Sequence, residues 1–289
     1  MPASPAMAVW QPTHRWISRG WRWTKGNVYV SEAASPWQPP NVVRILQPLN
    51  QPILVSAVLD AASEQPEPVS PGKIVVIYGA GLGPAELVRN SAVAGQVGTE
   101  LAGTEVFFNG VAAPILYTSG SQIGDIAPYA LNGQTAQVTV TYQGHTSSPV
   151  AVPIAGSAPS LFTTNQTGAG EAAAINVADG TVNSAANPAK VGGYVTLYAT
   201  GEGQTTPTGV DGKIAAGATL PQPNLSVSAT IGGVPAVVQY AGTTPGQVAG
   251  LMQVNLQIPS GVQPGGYVPV VLKVGSATSS TVVWIAVAD

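Results

Sequence analysis

The stretch GKIVVIYGAGLG at residues 72–83 decides the fold, because a similar stretch, GGYVTLYATGEG, returns at residues 192–203. In both stretches apolar residues and a tyrosine lead into a turn with spaced glycines. Each is followed by a glycine-containing hairpin, a strand that ends at a proline and a closing pair of strands. The chain therefore contains one module twice, and we predict two domains of roughly 100 residues, a common domain size.

Turn signals recur at matching places in the two copies. Asn109-Gly110 and Gly232-Gly233 each separate two strand-like runs, as expected for a type I′ hairpin in which both turn residues have positive φ. Pro128 and Pro259 close the next strands, because proline cannot donate to a β-ladder. Many short strands, frequent turn dipeptides and almost no helical periodicity predict an all-β fold of two tandem immunoglobulin-like β-sandwiches.

The predicted boundaries give three parts. Residues 1–50 form an irregular tail rich in Trp, Arg and Pro, residues 51–155 the first sandwich, and residues 156–289 a linker with the second sandwich. We expect the Gly- and Ser-rich linker to place Leu161 and Phe162 between the sandwiches. We also expect Asp60 and its echo Asn183 to hydrogen-bond backbone two residues on, as turn-forming side chains do.

Two β-like runs, at residues 26–33 and 41–46, form a short hairpin at the end of the tail. The pair resembles the closing hairpin of an NHL-type propeller blade, which would make the chain the C-terminal end of a longer protein. The alternative is an ordinary hairpin or an extra strand docked on the first sandwich.

Composition excludes several functions. Charged residues make up 8% of the chain, against about 25% in ordinary soluble domains. Five basic residues and one acid lie in the first 50 positions, so the rest holds five basic and twelve acidic residues. Residues 51–289 are therefore net negative and cannot displace many counterions from nucleic-acid phosphates, so we expect no nucleic-acid partner. Because the chain has no Cys, neither disulfides nor thiolate metal sites are available.

The sequence predicts neither a membrane-spanning helix nor a secretion signal. No stretch approaches the roughly 18 apolar residues of a membrane helix. The first 25 residues interleave Trp with Arg and Pro and lack the apolar core of a secretion signal. The chain is therefore either cytoplasmic or preceded by an upstream segment.

Three ordered motifs resemble an IPT/TIG-type immunoglobulin-like domain: PGKIVVIYGAGLG at 71–83, NGVAAPIL at 109–116 and TVTYQGHTS at 139–147. The resemblance implies the predicted sandwich fold. It supplies no catalytic residues.

The whole of residues 53–289 is similar to an uncharacterised C-terminal domain family of Solibacter-type acidobacterial exported proteins. The motifs that carry this similarity are VNSAANPA at 182–189, LYATGEGQT at 197–205 and VDGKIA at 210–215. It implies export, an extracellular or cell-surface location and an accessory, non-enzymatic position, without a cofactor.

The glycines of the first copy invite a dinucleotide-binding interpretation, which we reject. Gly79 and Gly81 follow a strand, but the fingerprint needs a third glycine where a helix packs on that strand, and position 84 is Pro84. A turn that needs permissive glycines explains the pattern.

Glu202 and Asp211 are the candidate binding or acid/base residues. They flank a loop of Gly, Thr and Pro in the second copy. A glycosidase needs two carboxyls about 5 to 10 Å apart in a cleft, and calcium needs six to eight oxygens. The spacing shows neither, so solvated loop carboxylates are the favoured interpretation, and the same applies to Asp125 and Glu171.

Histidine and tyrosine offer no defined site. His14 and His145 cannot form a common zinc site or a catalytic triad, and His145 is expected to be an exposed turn residue. The echoed tyrosines could stack on sugars, but we expect them to fill the core with the hydroxyl at its rim; they are Tyr78, Tyr117, Tyr198 and Tyr240.

The leading hypothesis is a non-catalytic accessory module of an exported bacterial protein that acts as a spacer, an adhesion domain or a binder of carbohydrate or of another cell-surface protein. One alternative is a subunit of an extracellular assembly that donates residues 26–58 to a neighbouring sandwich edge. Another is a glycoside hydrolase that uses Glu202 and Asp211.

Overall fold

The computed structural model describes residues 21–24, 27–31, 43–46, 52–280 and 282–289. They fall into two compact units, Met1–Gln51 and Pro52–Asp289. Three antiparallel strands form the first unit's sheet, in the order β1 (Trp21–Thr24), β2 (Asn27–Ser31), β3 (Val43–Leu46). The pairing of β2 with β3 confirms the predicted hairpin. The remainder of the predicted tail, with His14, lies outside the described residues.

The second unit is built of short strands, and no helix occurs among the described residues. The first copy contains β4 (Leu54–Asp60), β5 (Ile74–Ala80), β6 (Val88–Arg89), β7 (Glu100–Leu101), β8 (Thr104–Phe108), β9 (Val111–Ala112), β10 (Ile115–Thr118), β11 (Gln122–Ile126), β12 (Thr135–Tyr142), β13 (His145–Thr146) and β14 (Val150–Pro153). The second copy contains β15 (Ser160–Leu161), β16 (Gly170–Glu171), β17 (Ala174–Asn176), β18 (Ala189–Lys190), β19 (Tyr194–Thr200), β20 (Thr205–Thr206), β21 (Gln222–Pro223), β22 (Val227–Ile231), β23 (Val234–Thr243), β24 (Met252–Gln257), β25 (Gly265–Val274), β26 (Ala277–Thr278) and β27 (Val283–Ala288).

Each copy is an immunoglobulin-like β-sandwich, as predicted. In the first copy one sheet has the order β4-β5-β11-β10-β6 and the other β13-β12-β8-β7, with β14 beside β12 and β9 beside β8. The second copy repeats the plan in one continuous sheet, β15-β19-β24-β23-β22-β25-β27-β16. The signature strands β5 and β19 therefore occupy the same place in both.

One proline explains why β9 and β10 lie in different sheets of the first copy, whereas the corresponding strand of the second copy is continuous; a separate pair, β20-β21, completes the second copy. After the first hairpin, Pro114 separates β9 from β10, because it has no N–H for the ladder. Val237 takes that place in the second copy, so β23 runs unbroken through ten residues and pairs with both β22 and β24. The strand bends at an irregularity between Val238 and Tyr240.

The turn predictions are confirmed in backbone geometry. Asn109 and Gly110 have φ values of 50° and 80°, and Gly232 and Gly233 have 60° and 77°. All four lie in the left-handed region that a type I′ turn requires. The chain after Gly83 is not helical, which agrees with the rejection of a dinucleotide-binding fingerprint.

Each copy has its own apolar core. The first is formed by Val55, Val58, Val69, Val75, Ile77, Leu82, Val106, Phe108, Ala113, Ile115, Ile123, Ala127, Leu131, Ala136, Val138, Val140 and Val152. The second includes Leu161, Val195, Leu197, Ile231, Met252, Val254, Leu256, Val270, Leu272 and Ile285. The prediction that Leu161 lies between the sandwiches is wrong, because Ser160 and Leu161 pair with β19 and make the segment part of the second sheet.

The two turn side chains behave differently. Asp60 Oδ1 accepts the N–H groups of Ala62 and Ser63 at 2.6 and 2.7 Å, as predicted. Asn183 instead binds the backbone of β27, with Oδ1 accepting from the Ala286 N–H at 2.7 Å and Nδ2 donating to its carbonyl at 2.9 Å. The expected local turn at Asn183 is therefore wrong, because the backbone of β27 supplies a better pair of partners.

Candidate functional site at the junction of the two copies

The outer face of β5 is covered by the second copy. Val75 and Ile77 point into the first core, yet Ile74 and Val76 are also buried, at 7% and 4% exposure. A strand buried on both faces reads as a continuous apolar run rather than an alternating one. The run KIVVIY thus marks the strand that faces the other copy, and we call this contact the junction.

Thr200 ties the signature strands together across the junction. Its Oγ1 accepts the Ile74 N–H at 2.8 Å and donates to the Gly250 carbonyl at 2.9 Å. A Cβ on Gly250 would overlap the carbonyl oxygen of Gly72. The backbones of the two copies therefore approach too closely for a side chain at this point.

Tyr129 is the central side chain of the junction. It follows Pro128 in the first copy and is 4% exposed. Its N–H donates to Asp211 Oδ1 at 2.8 Å, its hydroxyl to Glu202 Oε1 at 3.4 Å, and its carbonyl accepts from Gln204 Nε2 at 2.6 Å. One residue of the first copy thus binds three side chains of the second.

Two glycines leave the space that the Tyr129 ring occupies. A Cβ on Gly72 would lie 2.6 Å from the ring, and a Cβ on Gly209 would overlap it. Because one glycine comes from each copy, the ring is enclosed by backbone of both. Tyr129 therefore acts as an anchor that fixes one sandwich against the other.

Glu202 is buried and not solvated, which corrects the prediction from the sequence. Its exposure is 0%, and Oε2 has no hydrogen-bond partner among the described residues. Burial raises the pKa of Glu202 to about 8, although hydrogen bonds from its own backbone and from Tyr129 oppose the shift. Burial and the nearby charge of Glu202 also raise the pKa of Tyr129. The site therefore favours a protonated Glu202 at neutral pH.

Asp211 is half-buried and also serves the junction. Besides binding Tyr129, its carbonyl accepts from Gln96 Nε2 at 2.9 Å, and residues 96 and 213 form a β-bridge. Glu202 and Asp211 are thus brought to the same tyrosine, as partners of Tyr129 and not on the walls of an open cleft. Since Glu202 has no exposed surface, a sugar cannot reach it, and this geometry argues against the hydrolase alternative.

A buried cation forms a second polar cluster beside the junction. Lys73 is 0% exposed, and its Nζ lies 2.7 Å from Asp60 Oδ2, 3.1 Å from Glu67 Oε2 and 3.1 Å from the Pro68 carbonyl. Ser160 Oγ, on β15, donates to the same Glu67 oxygen at 2.9 Å. We call these side chains the Lys73 cluster. It links the start of the first sandwich to the first strand of the second.

Asp125 is the second buried carboxylate that was predicted to be solvated, and that prediction is also wrong. It lies in β11 at 0% exposure, and neither carboxylate oxygen has a partner among the described residues. Burial raises the pKa of Asp125 well above its usual range. Its place between Ile123 and Ala127 is a core position, and the corresponding residue of the second copy is the buried Leu256.

Replacing Asp125 with leucine is expected to stabilise the protein. The change Asp125→Leu removes an unpartnered buried carboxyl, so we expect a gain of about 1–3 kcal/mol in the free energy of unfolding at pH 7. Urea denaturation followed by circular dichroism measures it. Asp125→Asn, which stays polar but cannot ionise, should gain less. A loss of stability in Asp125→Leu would show that the carboxyl has a stabilising partner.

The other predicted residues stay at the periphery. Glu171 is half-buried at the end of β16, and His145 is exposed in β13 beside the turn, as predicted. The four echoed tyrosines are all half-buried. Tyr78 and Tyr240 donate from the hydroxyl to Glu64 Oε2 and the Thr243 carbonyl, at 2.9 and 2.8 Å. These contacts place the hydroxyls at the rim of the sandwiches.

In the part of the chain that the structure describes, no group of three or more His, Asp or Glu side chains could hold a metal ion. Nor does this part include a helix with the length and apolar character needed to cross a bilayer.

One stretch of the first copy matches a known domain family. Residues 62–153 match the IPT/TIG domain. This IPT/TIG match covers the first sandwich from the turn after β4 to the end of β14. No curated protein matches the chain.

Three of the solved structures that are similar to the chain illustrate the likeness. Two are of the plexin A4 full extracellular region, each with 14% identity and a TM-score of 0.29; they cover 86% and 88% of this chain and 20% and 17% of theirs. The third is SGBP-B from a complex xyloglucan utilization locus in Bacteroides uniformis, with 12% identity, a TM-score of 0.22, and coverage of 78% of this chain and 47% of that one. The chain thus spans about a fifth of the plexin A4 region.

Proposed function

We propose that residues 51–155 and 156–289 act together as one rigid, non-catalytic accessory unit of an exported bacterial protein, a spacer that holds neighbouring parts at a fixed distance and angle. The observation that carries the proposal is the enclosure of Tyr129 by Gly72 and Gly209. A hinge between the copies would need that ring and its three hydrogen bonds to separate.

The family and the chemistry support an accessory role. IPT/TIG domains are generally non-catalytic, and residues 62–153 match that family. The two predicted site residues, Glu202 and Asp211, are occupied by Tyr129. An extracellular or cell-surface location is part of the proposal, supported by the resemblance of residues 53–289 to exported acidobacterial proteins, and antibody labelling of intact source cells would test it.

The strand-addition alternative loses part of its basis. Residues 54–58 of the segment proposed for donation already lie in β4, which pairs with β5 along its length. That strand is therefore used within its own sandwich.

The rigidity of the unit can be measured by spin labelling, since the chain has no native cysteine. Labels at Val111→Cys and Val237→Cys, at positions 39% and 63% exposed, would report one distance between the copies by electron–electron double resonance. We expect a single narrow distance distribution. A broad distribution in the otherwise unchanged protein would contradict the proposal.

A matched glycine pair then tests the Tyr129 anchor. Gly209→Ala places a Cβ in the ring of Tyr129, so we expect the distance distribution to shift or broaden. Gly156→Ala is the control, because nothing lies within 4 Å of that Cβ and its backbone needs no positive φ. Equal distributions in both variants would show that the anchor does not set the angle.

A further inference from the structure

An exposed aromatic ring stands at the beginning of β25. Tyr267 exposes 78% of its surface, while the next residue, Val268, is buried at 5%. Because side chains alternate along a strand, Tyr267 lies on the outward face of the second sandwich. Outward strand positions need no large apolar side chain for the core, so the ring is free to contact a ligand.

A second aromatic residue holds the ring in place. Trp284, half-buried on the adjacent strand β27, meets Tyr267 edge to face, with ring centroids 5.5 Å apart and an interplanar angle of 66°. Trp284 is also the cross-strand neighbour of Pro269. Edge-to-face packing fixes the orientation of a ring, and the 78% exposure shows that most of the Tyr267 side chain stays open to solvent. Tyr267 is therefore oriented before any ligand arrives.

An open depression of about 400 Å³ adjoins the ring. It lies at one end of the second sandwich, between the β22–β23 hairpin turn and the loop that enters β25. Its walls include Gly232, Gln263, Gly265, Gly266 and Pro269. Small-molecule sites commonly have volumes of roughly 300 to 1,000 Å³. The depression is thus large enough for one or two sugar rings.

The walls of the depression are neutral. None of the eight residues that line it within the described chain carries a charge, and Gln263 and the Tyr267 hydroxyl are the side-chain groups among them that can both donate and accept hydrogen bonds. Gly265 and Gly266 leave backbone accessible beside it. A phosphate or an acidic saccharide would find no cation here. An uncharged, hydroxyl-rich ligand with an apolar face suits the site better.

We propose that Tyr267, held by Trp284, and Gln263 form a binding site for a neutral carbohydrate, with a pyranose ring lying against the exposed face of Tyr267. The C–H face of the sugar would contact the aromatic ring, and its hydroxyls would bind Gln263 and the backbone. The inference rests on the proposed accessory function and names a ligand class for it. A protein partner suits the site less, since stable interfaces bury about 1,200–2,000 Å² around several anchors.

Affinity electrophoresis of the full chain tests the site. The gels would contain soluble starch, hydroxyethyl cellulose or galactomannan as neutral probes and alginate as the charged one. We expect at least one neutral polysaccharide to retard the protein, and Tyr267→Ala to weaken that binding about tenfold or more, as loss of a central aromatic anchor does. Tyr267→Phe should keep most of the binding. Val237→Ala, a change at another exposed apolar position of the second sandwich, should leave it unaltered.

Three results would overturn the site: no retardation by any neutral gel, equal retardation of Tyr267→Ala and the unmodified protein, or retardation by alginate alone. Circular dichroism confirms that each variant is folded. The spin-label distances are independent of this readout. If the two copies are rigid but bind no neutral polysaccharide, the carbohydrate site is refuted and the spacer proposal stands. If the two copies are flexible but bind a polysaccharide through Tyr267, the spacer proposal is refuted and the carbohydrate site stands.

Discussion

Lys73→Met is expected to lower the free energy of unfolding by about 3–5 kcal/mol, because removing one partner of a buried ion pair leaves its counter-charge unpaired. Asp60 is 1% exposed and Lys73 fully buried, so water cannot replace the lost ammonium. Glu67 would remain close to Asp60 with no cation between them. Urea denaturation followed by circular dichroism at pH 7 measures the loss.

A second substitution shows whether the charge is the cause. Asp60→Asn in the Lys73→Met background removes the stranded carboxylate but leaves an oxygen for the N–H groups of Ala62 and Ser63. We expect the double variant to recover much of the stability. The second copy supports this, since Asn176, and not the sequence echo Asn183, pairs with Val195 as Asp60 pairs with Val75, and Gly193 stands in the place of Lys73. A loss below about 1 kcal/mol for Lys73→Met, the range of exposed ion pairs, would contradict a buried cluster.

Glu202→Gln is expected to reverse the order of stability between acid and alkaline pH. The pKa of Glu202 rises from 4.5 to about 8 on folding. Below the lower value both the folded and the unfolded chain carry the proton. Between the two values the folded protein holds a proton that the unfolded chain releases, so stability falls as pH rises, by about 1.4 kcal/mol per pH unit.

The glutamine variant lacks this loss because it cannot ionise. At pH 9 we expect it to exceed the unmodified protein by up to about 4 kcal/mol. At pH 5 it should be equal or about 1 kcal/mol less stable, since the new amide N–H₂ lacks an acceptor where Glu202 Oε2 lacks a donor. Asp125 is present in both proteins, so its contribution cancels in the difference between their free energies of unfolding. A difference that stays constant from pH 5 to pH 9 would show that Glu202 is ionised in the fold.

The sandwich fold could be predicted because its signals are local and doubled. Asn109-Gly110 and Gly232-Gly233 demand the same backbone conformation in both copies, and the alternation of β12 predicts one wet and one buried face. Residues that join the copies carry no such local signal. Tyr129 follows Pro128, where the second copy has Ser260, so periodicity within either copy does not mark it.

A position-by-position comparison of the copies could have located both buried carboxylates. Glu202 takes the place of Leu82, and Asp125 that of Leu256; both leucines are fully buried. Linear composition suggested solvated loops, because acids are seldom buried without a partner. The equivalent leucines would have pointed to the interior. What the second copy could not provide is the geometry of the junction, since that surface arises only when the two sandwiches meet.

Because β5 is buried on both faces, the first sandwich is not expected to be stable when it is expressed without the second. A fragment that ends near residue 155 would uncover Ile74, Val76 and Ile126, and a bare strand face of this kind invites self-association. We expect such a fragment to be recovered as aggregate, while residues 52–289 stay in solution. We therefore expect the pair of sandwiches to be the shortest unit that folds after transfer to another protein. Recombination should then move both sandwiches together.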